Sequence, residues 1–349
     1  MQVQSLLRQP VPAVHHERAV HRALLAGPPV LEQYLVTGGR PQQAAQLAGH
    51  ARPLQPRVSL GQVAGKRQLS AGDLVLGDDR RGPAIRGEQI AAIAITEPDA
   101  GSDVAGITTV ARRDGDHYIV NGRKIFITNG ARCHWALVVT KAEHERGHKG
   151  FNLLVIEKGT PGFEVTRKLE KLGMHSSDTA ELLFENCRVP VANLIGEEGE
   201  GFKNLMWELQ GERMIAAAGA IAGAASVFEY TAEYARNRKA FGQPIAQFQV
   251  IKHKLVDMGT KVAAIQAFVY QTAKQWDQGE YPVREISQAK LLATQVACEV
   301  ADEAIQILGG HGYMSEFPVE RAWRDARLAR IGAGTDEIMK EIIAKTYGL

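Results

Sequence analysis

The chain has 349 residues, of which 45% are hydrophobic and 23% are charged, and its formal net charge is +2. This composition excludes a mainly disordered chain, a collagen and a disulfide miniprotein, and the length predicts about two domains. The near-zero charge offers no field that would gather nucleic acid, so no nucleic-acid partner is expected. The three cysteines have neither CxxC nor metal-ligand spacing, which predicts reduced thiols and no metal site.

The first 88 residues differ in composition from the rest of the chain. They hold eight of the 14 prolines, none of the 10 phenylalanines, and eleven Lys/Arg against six Asp/Glu. Pro and Gly pairs interrupt the apolar clusters, so no helix longer than about three turns is expected there. The segment is predicted to be irregular and to pack weakly alone.

Residues 89–196 show short β-rich runs separated by turn residues. The Asp-Gly and Asn-Gly pairs at 114–115, 121–122 and 129–130 are typical of hairpin turns. An antiparallel sheet or barrel is therefore predicted. Its strands are expected at 91–96, 107–112, 117–120, 123–128, 135–140, 151–156, 163–167 and 180–189.

From residue 197 onward the apolar residues recur with helical periodicity. The uncharged stretch 214–228 has fifteen residues, fewer than the roughly 20 that cross a bilayer, so it is predicted to be a buried helix and not a membrane span. No secretory or mitochondrial leader pattern is recognised at the N-terminus, and a cytoplasmic location is expected. Helices are predicted at 202–238, 245–278, 283–308, 319–330 and 335–347.

Four motifs are candidates for binding chemistry, although each has an ordinary structural explanation. The loop 96–103 carries two hydroxyls and three carboxylates, as many polar turns do. Phe126 and Thr128 alternate along a strand and share a face, which suits a planar heterocycle or a plain sheet core. The cluster 238–243 ends a helix and could clamp a diphosphate or only cap the helix. The glycines in 306–312 allow close backbone approach, or only end a helix.

Taken in order, these segments resemble the acyl-CoA dehydrogenase family of flavoproteins. The resemblance runs from about residue 90 to the C-terminus and includes Ile95-Thr-Glu-Pro-Asp-Ala-Gly-Ser-Asp103, Phe126-Ile-Thr-Asn-Gly130, Lys171-Leu-Gly-Met174, Arg238-Lys-Ala-Phe-Gly242, Gln306-Ile-Leu-Gly-Gly-His-Gly-Tyr313, Arg324-Asp325 and Gly332-Ala-Gly-Thr335. It implies an α+β fold with three parts: a divergent or incomplete N-terminal helical domain (1–88), a central antiparallel β-barrel domain (89–196) and a C-terminal four-helix bundle (197–349).

The resemblance also implies bound FAD, the α,β-dehydrogenation of an acyl-CoA thioester, and an electron-transfer flavoprotein as acceptor. It assigns flavin contacts to Ile95, Thr96, Phe126 and Thr128, the CoA arm to Ser102, and the adenosine diphosphate portion of FAD to Thr335 and Glu337. It assigns contacts from a neighbouring subunit to Arg238, Gln249, Gln306, Gly309 and Gly310, and it also assigns Phe241 to cofactor binding. Arg213 and Gly334 are expected to touch the substrate together with Ser102.

Ala333 occupies the position where many family members carry their catalytic glutamate. Glu212 is therefore predicted to be the base, as in the isovaleryl-CoA and long-chain branches, while the backbone N–H of Ala333 polarises the thioester carbonyl. Glu212 lies 26 residues before Arg238 in one predicted helix, about 39 Å at 1.5 Å per residue. Arg238 should therefore reach the FAD of another subunit, in a homodimer or homotetramer. A non-catalytic FAD-binding scaffold and a flavoprotein oxidase remain alternatives.

Overall fold

The structure, a computed structural model, describes residues 78–143, 145 and 147–349. The prediction for residues 1–88 therefore lies mostly outside the described residues. Its last part contains one described helix, α1 (Asp78–Ile85). The described residues all belong to one compact unit, in which α1 comes first, the strands follow and the longer helices come last.

Seven strands form a curled, mixed sheet, in which the predicted strand positions are confirmed within a few residues. The strands are β1 (Ala91–Ala94), β2 (Val110–Asp114), β3 (His117–Thr128), β4 (Trp135–Ala142), β5 (Phe151–Glu157), β6 (Phe163–Lys168) and β7 (Thr179–Pro190). They pair in the order β1-β4-β2-β3-β7-β6, and β5 pairs with β4.

The prediction of a purely antiparallel sheet is wrong for two of these pairs. β1 runs parallel to β4, with Ala91 opposite Trp135, and the end of β2 also runs parallel to β4, with Val110 opposite Lys141. Alternation and turn signals identify strands and hairpins between neighbours. They carry no information on pairing between strands that long connections separate.

The hairpin turn predicted at residues 121–122 is also wrong, because β3 continues through it. The backbone of Gly122 has a φ of +153°, and a Cβ there would lie 2.7 Å from the Cα of Thr109. Glycine is needed for this close approach between strands, and the pairing register shifts at the same point. The hairpin predicted at residues 114–115 is confirmed, with Asp114 opposite His117.

Five helices follow the sheet, and all five match predicted segments. α3 begins after a two-stranded ribbon, β8 (Lys239–Ala240) and β9 (Gln243–Pro244), so it starts four residues later than expected. Apolar residues of α2, α3 and α4 form the core of this region. The helices are α2 (Gly201–Asn237), α3 (Gln249–Asp277), α4 (Val283–Leu308), α5 (Pro318–Ala329) and α6 (Asp336–Tyr347).

The prediction of a buried helix at 214–228 is only partly right. Ala217, Ile221 and Ala224 of α2 are buried, but Ile215 is 75% exposed, since the apolar residues surround the helix and only one side faces the core. By length and composition alone α2 could cross a membrane, and 22% of its most apolar window is buried. The expected absence of a membrane span stays a prediction.

Two contacts fix the sheet against the helices. At one of them the backbone N–H of Met174 donates to the Asp325 carboxylate on α5, and the Arg324 guanidinium donates to the Leu172 carbonyl at 3.3 Å. At the other, Leu205 of α2 packs against Phe151 of β5 in a shared apolar cluster. The family-like blocks at 171–174 and 324–325 therefore meet in space.

Replacing Gly173 by Ala should weaken the first of these contacts. A Cβ at Gly173 would lie 2.6 Å from an Asp325 carboxylate oxygen and 2.7 Å from the Arg324 backbone, so the two elements must separate. We expect the free energy of unfolding to fall by about 1 to 3 kcal/mol in urea titrations. Gly219→Ala, on the exposed side of α2 with open space around it, should leave stability unchanged or raise it by up to about 1 kcal/mol. Equal stability of the two variants would contradict the packing argument.

Candidate active site

Residues of the sheet form a platform of one aromatic ring and two hydroxyls. The backbone N–H of Ile125 donates to the Thr96 carbonyl at 2.9 Å, which brings the end of the 96–103 loop beside β3. Phe126 is 66% exposed, and Thr128 is exposed on the same side, while Ile127 between them is buried. The side-chain hydroxyls of Thr96 and Thr128 make no hydrogen bond to another described residue. Both residues are exposed as predicted, but the strand does not alternate regularly here, because Phe126 has a φ of +61° within a register shift between Lys124 and Ile127.

A buried ion pair stabilises the backbone of this platform. The Lys124 ammonium donates to the Ile95 carbonyl and to a Glu97 carboxylate oxygen, both at 2.9 Å. Glu97 also accepts hydrogen bonds from the backbone N–H groups of Thr108 (2.6 Å) and Thr109 (2.9 Å). Burial alone would raise the pKa of Glu97, but the Lys124 charge and these hydrogen bonds lower it to about 2. The pair therefore fixes the backbone at Ile95 and Thr96.

On the helical side, two cations hold the loop before α6. The Arg213 guanidinium donates through Nε to the Ala333 carbonyl at 3.0 Å, and the Lys290 ammonium donates to the Gly334 carbonyl at 2.6 Å. Ala333 has a φ of +54°, a backbone conformation that is unfavourable for a residue with a Cβ. Because these hydrogen bonds fix two successive carbonyls, they maintain this conformation. Glu212 precedes Arg213 on α2, and its predicted role as the base stays a prediction.

Glu208 also lies in this part of α2, and sequence reasoning did not include it in the site. It is four residues before Glu212, so the two carboxyls share one face of the helix. Burial raises the pKa of Glu208 to about 8, and the neighbouring Glu212 carboxyl adds to the rise. The spacing of four residues between Glu208 and Glu212 could have indicated from the sequence that the two carboxyls lie together. Lys290, a buried lysine in an apolar helix, was missed in the same way.

Three further predicted residues are half-buried or exposed. Thr335 caps α6, its hydroxyl accepting from the Ile338 backbone N–H at 3.3 Å, and Glu337 is exposed in the first turn of that helix. Ser102 is exposed on the loop after β1. Their predicted contacts with cofactor and substrate stay predictions.

Six predicted residues gather at the opposite end of the helical region, where α2 and α4 end and α3 begins. The Tyr234 hydroxyl donates to the Leu308 carbonyl at 3.4 Å and so joins the ends of α2 and α4. The helix is continuous from Glu212 to its last residue, so the predicted separation of about 39 Å from Arg238 stands. The six exposed residues are Arg238, Phe241, Gln249, Gln306, Gly309 and Gly310.

These surfaces suit a flavin dinucleotide. The Phe126 ring is exposed on the same part of the sheet as the Thr96 and Thr128 hydroxyls, which have no partner among the described residues, as stacking and polar contact with a flat heterocycle require. Phe241 is 95% exposed and lies three residues after the exposed Arg238. A Cβ built at Gly309 or Gly310 meets no atom within 4 Å, so backbone is accessible there. Within the described ranges, no group of three or more His, Cys, Asp or Glu side chains is positioned to hold a metal ion.

Comparison with known proteins identifies the family of this chain. Residues 92–187 match the family model described as acyl-CoA dehydrogenase, middle domain, and residues 199–348 match acyl-CoA dehydrogenase, C-terminal domain. The chain is 43% identical over 261 residues to isovaleryl-CoA dehydrogenase, mitochondrial, of Oryza sativa subsp. japonica, which covers 75% of this chain and 64% of that protein.

Solved structures show the same relationship. Acyl-CoA dehydrogenase from Geobacillus kaustophilus superposes with a TM-score of 0.76 at 45% identity, covering 78% of this chain and 72% of that one. An FAD complex of PigA superposes with a TM-score of 0.76 at 33% identity, covering 78% and 71%. The chain belongs to the acyl-CoA dehydrogenase family, whose cofactor is FAD. It spans less than two thirds of the length of the rice relative.

The buried pair beneath the platform generates a stability prediction. Lys124→Met leaves the Glu97 carboxylate buried without its cation and should lower the free energy of unfolding by about 3 to 5 kcal/mol at pH 7. The double variant Glu97→Gln with Lys124→Met should recover most of that loss, because no buried charge remains. Urea unfolding of both variants tests this.

Acid provides the control for the same pair. Because folding lowers the pKa of Glu97, its contribution is present above about pH 4.5 and is lost as the pH falls towards about 2. The stability of the wild type relative to the double variant should decrease over that range. A constant difference would contradict the account of the pair.

Proposed function

We propose that the chain catalyses the FAD-dependent α,β-dehydrogenation of an acyl-CoA thioester to the trans-2-enoyl-CoA. The observation that carries the proposal is that Glu212 lies on α2 one residue before the guanidinium that binds the Ala333 carbonyl. A carboxylate and a fixed backbone N–H are the two groups that proton removal beside a thioester carbonyl requires. Family membership supports the same class of reaction.

Glu212 acts as the base and removes the α-proton. The backbone N–H of Ala333 donates to the thioester carbonyl and stabilises the negative charge that develops on its oxygen. Arg213 and Lys290 hold the loop carbonyls, so this N–H keeps its direction without reorganisation. FAD, when bound, accepts the β-hydrogen as hydride.

The exposed platform on the sheet would hold the flavin ring. Ile95, Thr96, Phe126 and Thr128 are the contacts we assign to it, and Ser102 would contact the CoA arm. Thr335 and Glu337 would contact the adenosine diphosphate portion, and Arg213 and Gly334 would border the substrate. The acyl chain length and branching are left open in this proposal.

Glu212→Gln tests the base directly. The amide keeps the shape of the side chain but cannot take a proton, so the variant should retain FAD and bind acyl-CoA while flavin reduction slows by at least about a hundredfold. Anaerobic stopped-flow absorbance measures that step alone. Glu229→Gln, an exposed glutamate on the same helix, is the matched control and should reduce its flavin at the wild-type rate.

A near wild-type rate in Glu212→Gln would contradict the assignment of the base. If the wild-type protein binds FAD but none of the acyl-CoA thioesters tested reduces the flavin, the result would instead support the alternative of a non-catalytic FAD-binding homologue.

The exposed end of the helical region supports a proposed homodimer or homotetramer. Arg238 cannot bind the FAD near Glu212 in its own chain if α2 is straight, and it would clamp the diphosphate of a partner's FAD together with Gln249, Gln306, Gly309 and Gly310. Phe241, beside it, would pack at the same contact. An electron-transfer flavoprotein is the acceptor we propose.

Arg238→Ala should therefore weaken FAD retention and subunit association together. We expect faster loss of flavin absorbance on desalting and a smaller mass by light scattering. Arg236→Ala, two residues earlier and also exposed, should change neither property. A wild-type monomer that retains FAD would contradict the shared site.

A further inference from the structure

The base proposed above has a second carboxyl beside it that the mechanism does not use. Glu208 lies one helical turn before Glu212, and the two side chains are within hydrogen-bonding reach of each other. Oε2 of Glu208 is buried and has no hydrogen-bond partner among the described residues. Two ionised carboxylates cannot hydrogen-bond to each other, whereas a carboxylic acid and a carboxylate form a strong O–H···O⁻ bond.

The charges around the pair favour a single shared proton. Arg213, on the same helix, is the cation that acts on both carboxyls. Tyr281, in the α3 to α4 connection, and Lys290, on α4, each interact electrostatically with Arg213. One carboxylate balances the guanidinium, and a second would be uncompensated in a partly buried site, so one carboxyl retains a proton.

We propose that Glu208 keeps this proton and donates it in a hydrogen bond to Glu212, which orients the Glu212 carboxylate towards the substrate's α-carbon. Glu208 is thus a positioning residue, and this inference rests on the proposed function of Glu212. Glu208 loses nothing during turnover: Glu212 takes the α-proton, both carboxyls are then neutral, and Glu212 later releases its proton to solvent.

The proton can be observed without turnover by infrared titration. The wild type should show a protonated-carboxyl band at neutral pH that disappears as the pH rises through about 8, in line with the raised pKa of Glu208. Glu208→Gln should lack this band, and the exposed control Glu229→Gln should retain it. In Glu212→Gln the midpoint should fall by about one pH unit, because the negative neighbour is gone.

Kinetics separate positioning from a merely structural role. Glu208→Gln still donates a hydrogen bond, so it should reduce flavin at near the wild-type rate. It should lack the decline in rate that we expect of the wild type above about pH 8. The pKa of Lys290 is also lowered to about 8, and a decline due to Lys290 would persist in this variant. Glu208→Leu, which cannot donate, should reduce kcat about tenfold with little change in KM.

The two levels of the proposal fail in different ways. Absence of a carboxyl band that titrates near pH 8, or an unchanged midpoint in Glu212→Gln, overturns the shared proton even if Glu212 proves to be the base. An alkaline decline that persists in Glu208→Gln also overturns it. Rapid flavin reduction by Glu212→Gln, in contrast, is the failure of the proposed function itself.

Discussion

The hydrogen bond from Arg213 to the Ala333 carbonyl is the interaction on which the proposed chemistry depends. It links two segments that are 120 residues apart in sequence and fixes the loop beside the helix that carries Glu212. Lys290 adds a second cation on the next carbonyl. Because the Arg213 guanidinium is buried and its Nε donates in this bond, the loop keeps its strained conformation. In the proposed mechanism, the same bond keeps the Ala333 N–H directed at the thioester carbonyl.

The position of the flavin platform depends on different contacts. The buried pair of Lys124 and Glu97 fixes the strand end at Thr96, and the close fit of Gly173 against α5 fixes the sheet against the helices. Polar interactions thus fix the backbone on the sheet side and on the helical side of the site, while apolar packing of α2 on β5 joins the two sides. This division explains why a change at the sheet-to-helix contact is expected to affect stability before it affects the base.

Local patterns in the sequence predicted the elements well. Helical periodicity gave α4 at its observed bounds, and the Asp-Gly pair gave the β2 to β3 hairpin. The parallel pairing of β1 with β4 could not be predicted, since it depends on segments that are distant in sequence. The Asn-Gly pair at 121–122 led to a wrong turn prediction. Glycine is needed there because the Thr109 backbone packs too closely for a Cβ, and the chain does not turn.

The candidate site was predictable only where a resemblance named its residues. Phe126 and Thr128 share a face by alternation alone, but the Lys124 to Glu97 pair spans 27 residues and joins a strand to a loop, so no local pattern reveals it. The proton that Glu208 and Glu212 share depends on burial, which their spacing alone does not report.

The most direct test of the central claim is a crystal structure of the FAD-loaded protein with an acyl-CoA analogue that cannot be oxidised. The account predicts a Glu212 carboxylate oxygen about 3 to 3.5 Å from the α-carbon, with the Ala333 N–H donating to the thioester carbonyl. A structure in which another carboxylate approaches the α-carbon, or in which Arg213 has left the Ala333 carbonyl to bind substrate, would contradict it.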